Sequence, residues 1–144
     1  MFGTYMRAGG VRLGESREFE EKGTVDQIAV TELIERELQA IRDPAIRDLV
    51  GRLRVDPYPV ERNWDYGAAD QTYTCWTVLE HRPSNTGVAY CDAGFGPTCP
   101  WGIVFLAGPH MNIGMDSGWF SSLECAVRES MAWEGENLPG YQVE

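Results

Sequence analysis

Short apolar runs separated by proline- and glycine-containing turns fill much of the second half of this sequence. The runs are rich in Thr, Tyr, Trp, Val and Leu, residues that favour strands, and they span Gln71–His81, Val88–Asp92 and Trp101–Leu106. The intervening turns are Pro83–Gly87 and Gly94–Pro100. Because short turns join antiparallel neighbours, this pattern predicts a three-stranded meander, with Asn112–Met115 as a candidate fourth strand.

A helical pattern precedes these runs. From Thr24, the expected N-cap, apolar residues recur at helical spacing, and they are Ile28, Leu33, Ile34, Leu38 and Ile41. Asp43 and Pro44 then provide the N-cap and the first residue of a second short helix. We expect that helix to end before Asp56–Pro59, because two prolines cannot continue it and they favour extended neighbours.

A late amphipathic helix is predicted after the meander. Asp116–Ser117 precedes apolar residues at helical spacing, namely Trp119, Phe120, Leu123, Val127 and Met131. The chain is thus expected to be an α+β protein with an N-terminal segment of two helices, a three- to four-stranded antiparallel meander and a late helix packed on the sheet. We assign 24–134 to a single domain, 1–23 to a poorly ordered lead-in and 135–144 to a loose tail.

Apolar stretches in this chain are too short for a membrane. The longest, Trp101–Ala107, falls far short of the ~20 residues that cross a bilayer, and residues 1–23 lack the apolar core of a secretory signal. We therefore expect a cytoplasmic protein with no membrane partner.

Four cysteines occur, at positions 75, 91, 99 and 125, with spacings of 16, 8 and 26 residues. These spacings match no zinc ribbon and no C-x-x-C motif, and a reducing compartment favours free thiols. The sequence therefore predicts neither a metal site nor a cofactor.

Acidic residues are concentrated in the second half of the chain. The net charge is -10, and residues 64–144 contain two basic and ten acidic side chains, a difference of -8. A field of this sign repels phosphate backbones and attracts basic proteins. We therefore expect no nucleic-acid partner, and a basic protein as the partner if this half binds one.

No catalytic constellation emerges from the residue pattern. His81 and His110 are the only histidines, and both fall at predicted strand ends or turns, where a general base would be exposed. No cysteine occupies a glycine-flanked elbow or a clear helix N-terminus that would lower its pKa. The sequence therefore assigns no catalytic residue.

Aromatic residues are the most informative feature of the acidic half. Twelve of the sixteen Trp, Tyr and Phe residues lie in 64–144, and many sit beside Asp and Gly on predicted connections. Aromatic residues with neighbouring acids on loops are typical of recognition surfaces, although Trp beside Gly often packs a loop onto its own sheet. The candidate binding residues are Trp64, Asp65, Tyr66, Asp70, Asp92, Trp101, Asp116 and Trp119.

These observations favour a small protein-interaction module over an enzyme, and an immunity or inhibitor protein of bacterial origin is the specific hypothesis. The eleven-to-one excess of Arg over Lys suits a GC-rich bacterial genome. The alternative is a small enzyme or ligand-binding domain with a pocket between sheet and late helix, lined by Trp76, Trp101, Met115 and Trp119. A third possibility is a subunit that dimerises through its first two helices, so the oligomeric state stays open.

Overall fold

A computed structural model describes residues 26–114 and 118–137. Three helices and five strands lie in this part of the chain. The helices are α1 (Gln27–Ala40), α2 (Pro44–Leu53) and α3 (Leu123–Arg128), and the strands are β1 (Arg54–Asn63), β2 (Thr72–His81), β3 (Thr86–Tyr90), β4 (Trp101–Phe105) and β5 (Trp119–Phe120). The expected lead-in, 1–23, and most of the expected tail lie outside the described residues.

The predicted α+β architecture is confirmed. The strands form one antiparallel sheet in the order β1-β2-β3-β4-β5, so each strand pairs with its neighbours in sequence. Two helices precede the sheet, and α3 contacts its last strands. The meander has five strands where three to four were expected, because β1 and β5 were not anticipated.

β1 was not predicted from the sequence, because the strand contains Pro57 and Pro59. The N–H of Trp64 donates to the carbonyl of Gln71 at 3.0 Å. Along β1, the backbone N–H of every second residue before Trp64 therefore points toward β2. Pro59 lies at one of the other positions, and its missing N–H therefore points away from β2. The ladder loses no hydrogen bond there, which is why an edge strand tolerates proline.

The first two helices have well-defined starts. Asp26, rather than the expected Thr24, caps α1, and its side chain accepts from the N–H of Ala29 at 2.9 Å. α1 buries Val30 and Ile34. Ile28, which was expected on the apolar face, is 69% exposed, so that part of the prediction is wrong. Asp43 caps α2 as expected, and Pro44 is its first residue.

The late helix is shorter than its periodicity predicted. Trp119 and Phe120 form β5, and Ser122 caps α3 by accepting from the N–H of Cys125 at 3.1 Å. Met131 lies beyond the helix and is 67% exposed. Two adjacent aromatic residues fit a strand here because their side chains point to opposite faces of the sheet.

The sheet separates two apolar clusters. On its helix side, the three helices and the sheet share the main core, which includes Ile34, Val50, Val78, Trp101 and Val127. On its outer side, a smaller cluster contains Cys75, Ala89, Cys91, Val104 and Ile113. Ile113 belongs to the connection from β4 to β5, which crosses the outer face to reach the end of β1.

That crossing ends in a parallel bridge between Trp64 and Ile113. The N–H of Asp65 donates to the carbonyl of Ile113, and the N–H of Ile113 donates to the carbonyl of Asn63, both at 2.9 Å. The predicted fourth strand at Asn112–Met115 is thus a single bridge among the described residues. It ties the β4–β5 connection to the end of β1.

An ion network joins α2 to α3. The Arg128 guanidinium is 2% exposed and lies 3.0 Å from the carboxylate of Asp43 and 2.9 Å from that of Glu124. These contacts hold the last helix against the N-cap of the second. In the described ranges, none of the helices has both the length and the apolar composition that crossing a bilayer requires.

Candidate functional site

Aromatic residues from three separate segments of the chain meet on the outer face. Trp64 and Tyr66 follow β1, Phe95 lies between β3 and β4, and Trp119 begins β5. The ring of Trp64 lies 5.1 Å from that of Phe95 and 5.2 Å from that of Tyr66, both edge to face. Phe95 in turn lies 6.4 Å from Trp119. These separations are those of favourable aromatic pairs.

We call this group the aromatic surface, and Tyr73 completes it. The Tyr73 ring, on β2, lies 5.6 Å from Trp64, and its hydroxyl accepts from Nε2 of Gln71 at 2.7 Å. Tyr66 is 60% exposed and Phe95 is 41% exposed, whereas Trp64, Tyr73 and Trp119 are half-buried. The half-buried rings pack on the outer cluster and support two rings that face solvent.

Two glycines make room for the indoles of this surface. Gly94 has a φ of +62°, a left-handed conformation, and a Cβ there would lie 3.4 Å from Trp64. A Cβ on Gly102 would lie 2.3 Å from Cε2 of Trp119. Trp119 therefore rests directly on the backbone of β4.

Acidic side chains flank the aromatic surface in sequence. Asp65 lies between Trp64 and Tyr66, is half-buried and accepts from Nδ2 of Asn112 at 3.3 Å. Asp92, three residues before Phe95, is exposed. Asp70 is exposed in the turn that leads into β2.

One of the predicted site residues lies away from this surface, and another falls outside the described residues. Trp101 is 2% exposed and lies in the main core on the helix side, where its ring is 5.0 Å from that of Tyr90. It is a packing residue, because a side chain on the helix side cannot reach the outer face. Asp116 lies outside the described residues.

Sequence reasoning missed Tyr73 and did not select Phe95. Tyr73 is two positions before Cys75 on β2, so both side chains lie on the outer face, and strand alternation contains that signal. Phe95 lies in a Gly-rich loop, and its neighbours there do not reveal its contact with Trp64. Only the arrangement of the sheet places these rings together.

Beneath the aromatic surface lie Arg62, Cys75 and Cys91. Arg62 is 1% exposed, its Nη1 donates to the carbonyl of Met111 at 3.2 Å, and its Nε has no partner among the described residues. Burial lowers the pKa of Arg62. A hydrogen bond between the two thiols raises the pKa of Cys75, with burial acting in the same direction, and lowers the pKa of Cys91.

The space between sheet and late helix is nearly filled. A cavity of about 10 Å³ remains there, bordered by Leu79, His81 and Val127, roughly the room of a single water. Trp101 and Trp119 lie on opposite faces of the sheet, so they do not line a common pocket.

The histidines lie apart from the aromatic surface. Nδ1 of His81 is 2.7 Å from the hydroxyl of Ser84, and the exposed His110 has its ring 6.2 Å from that of Phe105. Within residues 26–114 and 118–137, no three His, Cys, Asp or Glu side chains come together as metal ligands.

Comparison with known proteins gives no relative. No protein-family model, no curated protein and no solved structure matches this chain.

Proposed function

We propose that this chain is a protein-interaction module that binds a basic partner through the aromatic surface. The observation that carries the proposal is the convergence of four aromatic rings from three separate segments of the chain, namely Trp64, Tyr66, Phe95 and Trp119. Large aromatic side chains are the most frequent anchors of protein interfaces, particularly where neighbouring residues hold them rigidly. Tyr66 and Phe95 would be the anchors, supported by the half-buried indoles.

Charge supports the choice of a basic partner. Asp65, Asp70 and Asp92 lie near the aromatic residues in sequence, and residues 64–144 have a charge difference of -8. Complementary charge mainly accelerates association, while the buried aromatic contacts slow dissociation.

Within this class, an immunity or inhibitor protein that neutralises a basic bacterial toxin is the specific function we propose. Size, acidity and a surface built from loops on a rigid sheet support it. A partner of this kind should arrest growth when it is expressed alone, and co-expression of this chain should restore growth.

The decisive experiment compares two phenylalanines of nearly equal exposure. Phe95, on the aromatic surface, is 41% exposed, and Phe105, at the end of β4, is 42% exposed. Tagged wild-type protein and the variants Phe95→Ala and Phe105→Ala would be used to capture partners from source lysate at low and high salt. We expect Phe95→Ala to weaken the affinity for the purified partner by roughly 10- to 100-fold, as for an interface anchor.

The control variant separates the aromatic surface from exposed aromatic residues in general. Phe105→Ala should leave the affinity within about threefold of wild type, as expected outside an interface hot spot. Equal effects of the two variants, or an effect of Phe105→Ala alone, would refute the proposed surface.

A ligand-binding role is the second candidate, and a different feature favours it. A groove of about 440 Å³ runs along the edge of β4 beside Phe105, His110 and Asn112, within the volume range of small-molecule sites. Native mass spectrometry of the purified protein tests this role. A retained small molecule that is lost in His110→Ala would support ligand binding, and a bare protein would favour the interaction module.

A further inference from the structure

Cys75 and Cys91 are directly opposed across two neighbouring strands. β2 and β3 pair antiparallel with Trp76 opposite Tyr90, so the next positions outward are Cys75 and Cys91. Both side chains belong to the outer cluster, and they are 0% and 2% exposed. The two thiols therefore share one face at one level of the sheet.

The backbone hydrogen-bond pattern determines how close the Cα atoms of Cys75 and Cys91 lie. The N–H of Cys91 donates to the carbonyl of Pro100 at 2.8 Å, so the backbone polar groups of Cys91 face β4 rather than β2. Cys75 and Cys91 consequently form a non-hydrogen-bonded pair, in which opposed Cα atoms lie about 4.5 Å apart. Disulfides join Cα atoms about 4.4 to 6.8 Å apart, so this pair can be bridged without moving a strand.

A buried positive charge accompanies the pair. Arg62 on β1 lies opposite Tyr73, and Val60 lies opposite Cys75, so Arg62 and Cys75 are diagonal neighbours on the outer face. Among the described residues no carboxylate forms an ion pair with Arg62. A guanidinium in this position favours the negatively charged form of Cys75 and so promotes the reactivity of that thiol.

We propose that Cys75 and Cys91 are a redox site that forms a reversible cross-strand disulfide when the protein meets a hydroperoxide. This inference goes beyond the proposed function and is independent of it. The other two thiols provide contrast, because Cys99 is half-exposed and Cys125 lies in α3, on the helix side of the sheet.

The reaction balances in two steps. The Cys91 thiolate attacks an oxygen of the hydroperoxide, an S–O bond forms as the O–O bond breaks, and the departing alkoxide takes the proton that Cys91 released. The Cys75 sulfur then attacks the sulfenic sulfur of Cys91, the S–S bond forms, and the hydroxyl leaves as water with the Cys75 proton. Two thiols lose two electrons, and the hydroperoxide becomes an alcohol and water.

Cys91 is the first nucleophile in this scheme. The S–H of Cys75 donates to the carbonyl of Tyr73 at 3.9 Å, which holds the proton on that sulfur. The contact between the two sulfurs also raises the pKa of Cys75 and lowers that of Cys91. The thiolate therefore forms on Cys91, and Cys75 keeps its proton until the second step.

The test uses folded protein, hydrogen peroxide and mass spectrometry. A Cys99→Ser, Cys125→Ser variant retains only the proposed pair, and adding Cys91→Ser gives the matched control. After peroxide treatment and alkylation in denaturant, the pair variant should have lost two hydrogen atoms and bound no alkylating reagent, and dithiothreitol should reverse both changes. The control should form no intramolecular disulfide.

If a variant fails to fold, peptide mapping of peroxide-treated wild-type protein tests for the same disulfide. Cleavage after Glu80 and Asp92 places Cys75, Cys91 and Cys99 on separate peptides. A peptide pair that joins Cys75 to Cys91 supports the proposal. The proposal is overturned if Cys75 and Cys91 are both still alkylated after peroxide has oxidised Cys99. It is also overturned if Cys91 becomes a sulfinic acid without forming a disulfide.

The contribution of Arg62 is tested by the pH dependence of the oxidation rate. Arg62→Met should slow disulfide formation roughly tenfold at neutral pH, the effect of about one pKa unit on a reactive thiol. The difference in rate between Arg62→Met and wild type should shrink at alkaline pH, where the thiol ionises without the nearby guanidinium. A rate difference that stays constant with pH would mean that Arg62 has a structural effect only.

Discussion

The indole of Trp119 lies on the backbone of Gly102, where the two residues are paired between β5 and β4. The absence of a side chain at Gly102 lets the indole approach the sheet, and from there its ring reaches Phe95. One glycine thus determines where an indole of the aromatic surface lies.

Gly102→Ala is expected to lower the free energy of unfolding by about 1–3 kcal/mol, because the new methyl group overpacks against Trp119. Urea unfolding followed by circular dichroism measures this change. Gly51→Ala is the matched control, since a Cβ on Gly51 in α2 would meet no atom within 4 Å. It should raise the free energy of unfolding by about 0.5–1 kcal/mol, as alanine replaces glycine in a helix. A destabilising effect of both variants would contradict this account of Gly102.

Asp43→Asn is expected to lower stability in a pH-dependent manner. The backbone N–H of Ala45 and the Arg128 side chain hold the pKa of Asp43 below its ordinary value of 3.8. A carboxylate whose pKa is lower in the folded state contributes fully above the unfolded value and loses that contribution as pH falls through the folded value.

Asparagine caps helices as well as aspartate, so this variant isolates the charge. The stability difference from wild type should be largest at neutral pH and should narrow between about pH 5 and about pH 2. Asp48→Asn breaks the exposed Asp48–Arg52 pair and should change stability by less than about 0.5 kcal/mol at any pH. A difference for Asp43→Asn that is independent of pH would show that its charge is irrelevant.

Arg62→Met is expected to keep the free energy of unfolding unchanged or to raise it by up to about 4 kcal/mol. The reason is that a buried charge without a carboxylate partner is replaced by an apolar side chain of similar length. Chemical denaturation compares it with wild type. Arg62→Ala, which removes the side chain stem and leaves a cavity, should instead be destabilising. A large loss of stability in Arg62→Met would mean that the guanidinium is an essential structural contact.

Asp70→Asn and Asp92→Asn are expected to slow association with the basic partner without changing its dissociation rate. Both carboxylates are exposed, so they act through long-range attraction, which salt screens over about 8–10 Å. Surface plasmon resonance should show a slower association rate at low salt that approaches wild type at high salt. Asp48→Asn, exposed on α2, should leave the association rate unchanged. Salt-independent association would remove the electrostatic part of the proposal.

Local sequence signals predicted the elements whose stability is mainly local. Asp43–Pro44 marked the start of α2, and the turn after His81 marked the hairpin of β2 and β3. The same reasoning misread Trp119 and Phe120 as helical, because two adjacent aromatic residues fit both a helix face and the two faces of a strand. The presence of β4 beside them decided in favour of the strand.

The candidate site was predictable only in part. Trp64, Tyr66 and Trp119 were identified from their loop context, whereas Trp101, from the same reasoning, is in the core. Composition indicates that aromatic residues will cluster, but the face of the sheet to which each points depends on register. A shift of one residue moves a side chain to the opposite face.

The sequence by itself determined the α+β class, the two leading helices, the antiparallel order of the central strands and the acidity of the second half. Tertiary structure alone decided that Trp64 meets Phe95, that Cys75 opposes Cys91 and that Arg62 is buried beside them. The reason is physical. Propensity, capping and turns act over a few residues, whereas these contacts join residues that only strand pairing brings together.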